Sequence, residues 1–251
     1  MPTLTDHAPT VEGYGPLTLL EECSDAEVLV YDSTDLKDNL PVRFYRDRRP
    51  QNAQESFSDE LQVLSNLEHP HLVKLRAVEI LEEEGHVFPC ACYPRLEGKR
   101  LCDDPDYQSP QPPRRVVQLL LPALKALQLL HQRGAHHGHL SPETIHLAPT
   151  SDPVSPKKAM LTEAGLGYVL STSKAKVCRV VAEHMAPEQH LSESPEITDQ
   201  AEIYSLGTIL YRMLTGMPPH WGATAMETAQ LAKDRRPIPP RHYRPLIQKT
   251  L

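Results

Sequence analysis

The spacing of apolar residues changes character partway along the chain, and that switch most limits the folds open to it. Up to about residue 95 the apolar positions come in short runs: Val28-Leu29-Val30-Tyr31, then Leu40, Val42 and Phe44 alternating with Pro41, Arg43 and Tyr45, then Leu72–Val78 and Val87–Tyr93. Runs of this length and period read as strands. One amphipathic helix interrupts them over Ser56–Leu67, where Phe57, Leu61, Leu64 and Leu67 share a face, and the acidic turn Glu82-Glu83-Glu84-Gly85 suits a hairpin. From Arg115 to Gln132 the period becomes helical: Val116, Leu119, Leu120, Leu124, Leu127 and Leu130 form one broad face, and Gly134 follows its end. Ile203–Leu214 is a second strongly apolar helix, closed by Gly216 and Pro218-Pro219. Strands gathered ahead of helices predict an α+β fold, with a small β-rich lobe holding one helix and a larger, mainly helical lobe.

The 251 residues, 39% of them hydrophobic, suffice for one large domain or two lobes. The 25 prolines cluster at 105–113, 149–156 and 237–245 and mark loops. On this basis Asp103–Pro113 reads as a solvated loop before the long helix. A net charge of -7 without a Lys/Arg cluster excludes the electrostatic footprint of nucleic-acid binding. Cys23, Cys90, Cys92, Cys102 and Cys178 are odd in number and irregularly spaced, which favours a reducing compartment over a disulfide framework. Within them, Cys90-Ala91-Cys92 lies in an apolar run and reads as core rather than as a metal ligand pair. The first fifteen residues lack the pattern of a signal peptide, and no run approaches the ~18 apolar residues of a membrane span. These features predict a cytoplasmic domain.

Four collinear segments carry a family resemblance. Glu60-Leu-Gln-Val-Leu-Ser-Asn-Leu-Glu-His-Pro-His-Leu-Val-Lys-Leu75 resembles the end of the protein-kinase αC helix and the strand entry after it. Leu130-His-Gln-Arg-Gly-Ala-His-His-Gly-His-Leu-Ser-Pro-Glu-Thr-Ile145 matches the kinase catalytic loop position for position. Met185-Ala186-Pro187-Glu188 resembles the A-P-E motif, and Glu202–Pro219 resembles the αF helix with its following turn. The chain is therefore similar to the bacterial Ser/Thr kinases, and the resemblance implies a bilobal kinase-like fold. Its parts would be an extension over 1–13, an N-lobe over 14–95 and a C-lobe over 96–251. It also implies that the C-lobe is incomplete here: further helices would follow, one carrying an arginine for Glu188.

Phosphoryl transfer needs a phosphate cradle, a cation on the phosphates, two metal-binding side chains and a carboxylate that orients the acceptor. The resemblance places Glu21, Cys23 and Ala26 at the three loop glycines, with Val28 setting the register. Arg43 falls at the lysine position with Glu60 as its partner, and arginine is not equivalent to lysine at a phosphate. In the catalytic loop His137 keeps the histidine, Gly138 replaces arginine, His139 the aspartate, Ser141 the lysine and Thr144 the metal-binding asparagine. A histidine can serve as a base but supplies no negative charge beside Mg²⁺. Leu161-Thr162-Glu163-Ala164-Gly165 stands for the D-F-G segment, so Glu163 is the one metal candidate. Ala164 removes a large ring, whose gap neighbours such as Leu64, His137 and Met160 would fill. The His136-His137-Gly138-His139 cluster reads as structural rather than as a zinc site. Ser171, Thr172 and Ser173 fall in the activation loop as phosphate acceptors whose usual arginine partner is absent.

The resemblance with these losses implies a pseudokinase: no catalytic residues at the degenerate positions His139, Ser141 and Thr144, and no required cofactor. Val28, Arg43, Glu60 and Glu163 would form a vestigial nucleotide site, able at most to bind ATP with Mg²⁺ weakly. The expected partner is another protein, an active kinase or a signalling component, and the expected role is regulation or scaffolding. The alternative is a divergent Ser/Thr kinase or nucleotide sensor that still binds ATP.

Overall fold

The computed structural model describes residues 9–23, 28–47, 51–83, 86–148, 158–166, 182–190 and 197–247. They form two compact units. The first comprises the described residues up to Glu68 together with Val73–Arg95, and the second His69–Leu72 with the described residues from Leu96 onward.

The first unit is an antiparallel sheet of five strands: β1 (Thr18–Cys23), β2 (Val28–Asp35), β3 (Leu40–Asp47), β4 (Ala77–Glu83) and β5 (His86–Pro94), in the order β1-β2-β3-β5-β4. Alternation along the strands sends Leu29, Tyr31, Val42, Phe44, Leu81, Cys90 and Cys92 into one core. The two cysteines are thus packing residues, as expected. The chain ahead of β1 straps this face: Val11 and Leu17 are buried in the same core. Tyr14 stands edge-on to Phe44 with centroids 4.8 Å apart, and its hydroxyl donates to Glu79 Oε1 at 3.2 Å. Backbone bonds from Gly15 N to Thr34 O (2.8 Å) and from Leu36 N to Gly13 O (3.0 Å) tie the strap down. The stretch read as an extension, 1–13, therefore contributes Val11 to the core. Helix α1 (Gln51–Ser65) packs on β4 and β5 and buries Phe57, Leu61 and Leu64. On β3 the buried Arg46 places its guanidinium 4.9 Å from the Phe88 ring centre and 5.8 Å from that of Tyr31, a cation–π arrangement.

The strand expected over Leu72–Val78 begins only at Ala77. Leu72, Val73 and Leu75 are buried without entering the ladder. Leu72 makes only isolated bridges, to His69 and to Leu161, and Arg76 meets Asp35 and Asp38 in ion pairs.

In the second unit, β6 (Lys99–Arg100), β7 (Ile145–Ala148) and β8 (Lys158–Leu161) form a small sheet. Two 3₁₀ turns, Leu101–Asp103 and Pro105–Tyr107, precede α2 (Pro113–Gln132). The remaining described helices are α3 (Pro187–His190), α4 (Asp199–Thr215), α5 (Ala225–Asp234) and α6 (Pro240–Tyr243). Helix α2 packs against β8 and α4. Its buried face uses Ala123 and Ala126 beside the expected leucines and valine, while Leu124 is 42% exposed. Close approach of the neighbours favours the small residues there. Helix α4 is capped by Thr198, whose Oγ1 accepts from Ala201 N at 3.2 Å, and by Gly216 at φ 79°, whose N–H donates to Arg212 O.

The Asp103–Pro113 segment is not solvated throughout. Tyr107 is 1% exposed, Asp104 and Gln111 are buried, and Gln111 N donates to Met213 O at 2.8 Å. The prolines mark tight turns here, not loose packing.

Candidate functional site

The loop after α2 is held from below by the start of α4. Glu202 is buried; its Oε1 accepts from Gly138 N at 2.5 Å, and its Oε2 lies 2.7 Å from His131 Nε2. His136 Nε2 lies 3.0 Å from Asp199 Oδ1. The hydrogen bond to Glu202 raises the His131 imidazole above its ordinary value. His137 is fully buried, and that burial lowers its imidazole. His139 is pushed down to about 4 by burial and by the neighbouring His137, so it is neutral at physiological pH. Among the described residues no group of three or more His, Cys, Asp and Glu is placed to share a metal ion.

The two hydroxyls of the loop are absorbed by the loop itself. Thr144 Oγ1 accepts from Ser141 N at 3.1 Å and donates its proton toward His139 O and Ser141 O, each 3.1 Å away. Ser141 Oγ accepts from Glu143 N at 3.3 Å. Thr144 O takes two donors from Thr162, its N–H at 2.9 Å and its hydroxyl at 3.1 Å. This internal wiring shapes the turn and leaves the Thr144 proton no role toward a ligand.

Glu163 follows β8 at φ 63°, a left-handed backbone that a non-glycine residue adopts at a cost of about 1–2 kcal/mol. Gly165 N donates to His137 O at 3.0 Å, and Ala164 is buried. For a Mg²⁺–nucleotide the donor set is short: Glu163 supplies one carboxylate, while Thr144, in place of asparagine, offers only a neutral hydroxyl oxygen that already accepts from Ser141 N. These residues do not fit the two-sided metal clamp.

On the first unit, β2 and β3 pair so that Asp32 stands directly opposite Arg43. Arg43 Nε donates to Asp32 Oδ1 at 2.8 Å and Nη2 to Oδ2 at 3.4 Å, a two-point fork, while Arg95 Nη1 approaches Oδ2 at 3.2 Å. Burial alone would lower the Arg43 guanidinium, but the bonds to Asp32 and Tyr45 outweigh it and raise it. Arg43 thus meets a carboxylate from the adjacent strand, which sheet register delivers without any helix having to be placed. Glu60 is half-buried on α1. Val28 opens β2 opposite Cys23 and Asp47 in backbone register. Glu21 and Cys23 belong to β1, which carries an irregularity between Leu19 and Glu21; Ala26 lies outside the described residues, as do Ser171, Thr172 and Ser173.

Sequence reasoning missed Asp32, although a signal existed. Once the turn of Leu36–Asn39 is recognised, two-residue alternation puts Asp32 across from Arg43. It also missed a buried network beside the A-P-E segment. Arg212 Nη1 donates to Glu183 Oε2 at 2.7 Å with its guanidinium 5.0 Å from the Tyr107 ring centre. Thr208 gives its proton to Ser205 O at 2.7 Å, so its oxygen accepts from His184 Nδ1 at 2.7 Å, and His184 Nε2 accepts from Tyr107 at 3.0 Å. Burial and then Arg212 push the His184 imidazole down to about 3.

Comparison with known proteins agrees with this architecture. The family described as "Protein kinase domain" matches residues 37–245. Serine/threonine-protein kinase PknB of Mycobacterium leprae (strain TN) is 28% identical over 188 residues, covering 73% of this chain and 29% of the relative. Serine/threonine-protein kinase pkn2 of Myxococcus xanthus is 27% identical over 191 residues, covering 74% of this chain and 22% of the relative. The chain thus spans less than a third of these relatives' length. Among solved structures, Rad53 1-466 in complex with AMP-PNP superposes with a TM-score of 0.64 at 20% identity, covering 93% of this chain and 57% of that one. The Mycobacterium tuberculosis PknI kinase domain gives a TM-score of 0.64 at 18% identity, covering 98% and 86%. With a family match over most of its length and a kinase-like α+β fold, the chain belongs to the protein kinase family.

Proposed function

We propose that this chain is a catalytically impaired kinase-like domain, a pseudokinase, that acts as a regulatory or scaffolding module toward another protein, an active kinase or a signalling component, in the cytoplasm. The observation that carries the reading is the Thr144–Ser141 turn: at the metal-binding position of the family stands a neutral hydroxyl whose oxygen already accepts from Ser141 N and whose proton goes to carbonyls of its own loop. In the same loop a neutral His139 offers a base without negative charge; on the first unit, Arg43 is already forked by Asp32. Incubation of purified protein with radiolabelled ATP, Mg²⁺ or Mn²⁺ and general protein substrates tests it. Label transfer at background level is expected. Robust turnover that disappears in Glu163→Ala or His139→Ala would sink the reading.

A second reading, nucleotide sensing without transfer, has one observation in its favour: Glu163 keeps a carboxylate at the D-F-G position on a left-handed backbone. It predicts a rise in melting temperature with ATP and Mg²⁺ but no labelled product, because a ligand that binds only the native state stabilises it by mass action. No shift at millimolar nucleotide removes it.

A further inference from the structure

We propose that the ribbon from Lys233 to Leu246 is a peripheral docking face for an anionic lipid surface, which it meets through five cations and three apolar side chains. The inference goes beyond the reading above and does not depend on whether the chain transfers phosphate. Residues 233–244 carry five cations, Lys233, Arg235, Arg236, Arg241 and Arg244, against one carboxylate, a net of +4 in a chain of net -7. That carboxylate, Asp234, already accepts at Oδ2 from Gln230 Nε2 at 2.6 Å. Among the described residues none of the five cations meets a carboxylate, whereas Arg43, Arg76, Arg115 and Arg212 all stand in ion pairs. Four prolines interrupt the strip, and the negative total of the chain hides it from a search for basic runs.

The ribbon is held from behind. After α5 the backbone is extended, with φ -127° and ψ 139° at Arg235 and φ -55° and ψ 134° at Pro239. Tyr211 of α4 donates its hydroxyl to Ile238 O at 2.6 Å, Arg244 Nη1 lies 3.5 Å from Leu214 O, and Ile247 is buried. With its inner side taken by α4, the ribbon displays the rest outward. Lys233, Arg235 and Arg236 are exposed, Arg241 and Arg244 half-buried, and Ile238, Tyr243 and Leu246 are 47%, 41% and 93% exposed. Cations alone would match an acidic peptide. Apolar side chains standing among them, a tyrosine included, match the water–lipid boundary, where cations meet headgroup phosphates and apolar groups enter the acyl region. A backbone fixed by prolines and by α4 loses little freedom on docking. The negative charge elsewhere in the chain is screened beyond about 8 Å at physiological salt. The contact lies on the bilayer surface; no described helix is long and apolar enough to cross it.

The test is co-sedimentation of the whole chain with sucrose-loaded vesicles, of phosphatidylcholine alone or of phosphatidylcholine and phosphatidylglycerol in equal parts, at low and at physiological salt. The chain should sediment with the mixed vesicles, stay behind with the neutral ones, and bind less as salt rises. Neutralising one arginine near the surface lowers partitioning about fivefold, so Arg235→Gln/Arg236→Gln should lose about twentyfold or more. Leu246→Ser should lose about threefold or more with its salt dependence unchanged. Lys125→Gln/Arg133→Gln removes the same charge from exposed positions outside the ribbon and should bind as the unaltered chain does. Lys233→Gln/Arg235→Gln repeats the measurement should the first pair lack a cooperative melt. Absence of binding to the mixed vesicles overturns the proposal, as do equal binding to neutral vesicles, full binding by Leu246→Ser, or an equal loss in the control pair. Retention on immobilised polyglutamate without vesicle binding would put an acidic protein segment in place of the lipid and equally sink it.

Discussion

At Gly138 the backbone is left-handed, φ 83°, and its N–H is the donor that Glu202 holds. A side chain there forces strain, so Gly138→Ala is expected to lower stability by about 1–2 kcal/mol, read as a lower denaturation midpoint in urea. Simply restoring the family's arginine at this position would meet the same strain. Two buried or half-buried histidines give opposite pH signatures. The folded value of His131 is raised by Glu202, so its contribution is fully present below the unfolded value of about 6.5 and is lost as pH rises through the higher folded value. The folded value of His184 is depressed to about 3, so the unfolded chain takes up the proton first and stability falls as pH drops below about 6.5. Thermal melts across that range should show His131→Gln losing the alkaline-side decline and His184→Gln a shallower acid-side decline. Identical profiles in all three proteins would contradict both assignments.

Among the elements, the strap ahead of β1 and the long helix α2 show where pattern and packing part. Val11 was legible only as one apolar residue in a polar terminus; the sheet face formed by Phe44, Cys90 and Cys92 turns it into core. Val11→Ala should therefore destabilise by about 1.5–2.5 kcal/mol, measured by chemical denaturation, where a surface position would give almost nothing. Helix α2 runs through Pro122, which removes one internal hydrogen bond yet does not end the helix, because both halves are pinned by Val116, Leu120, Leu127 and Leu130. Pro122→Ala is expected to raise the melting temperature, corresponding to about 1 kcal/mol or more. The helix itself was readable from its leucine spacing. Its exact facing was not: Ala123 and Leu124 lie about 100° apart around the helix, and packing against β8 and α4 buries the alanine while leaving the leucine at the rim.

For the whole molecule, hydrophobic period and four collinear motifs sufficed to announce an α+β fold and a kinase-like chain, because period 2 and period 3.6 are properties of local backbone geometry and need no partner to be read. The same local reading located the loop substitutions at 138, 139, 141 and 144, and the packing role of Cys90 and Cys92. Contacts between strands and between distant helices were another matter. Arg43 meets Asp32 because ladder register brings a carboxylate across at hydrogen-bond distance. The hydroxyl of Thr144 closes on its own loop only because that loop is turned by Gly138 and tied to Glu202 on a helix 64 residues away. Residue types and their order were written in the chain; which charges meet, and so which donors are left for a ligand, follows from long-range packing, where one angstrom decides whether a hydrogen bond exists at all.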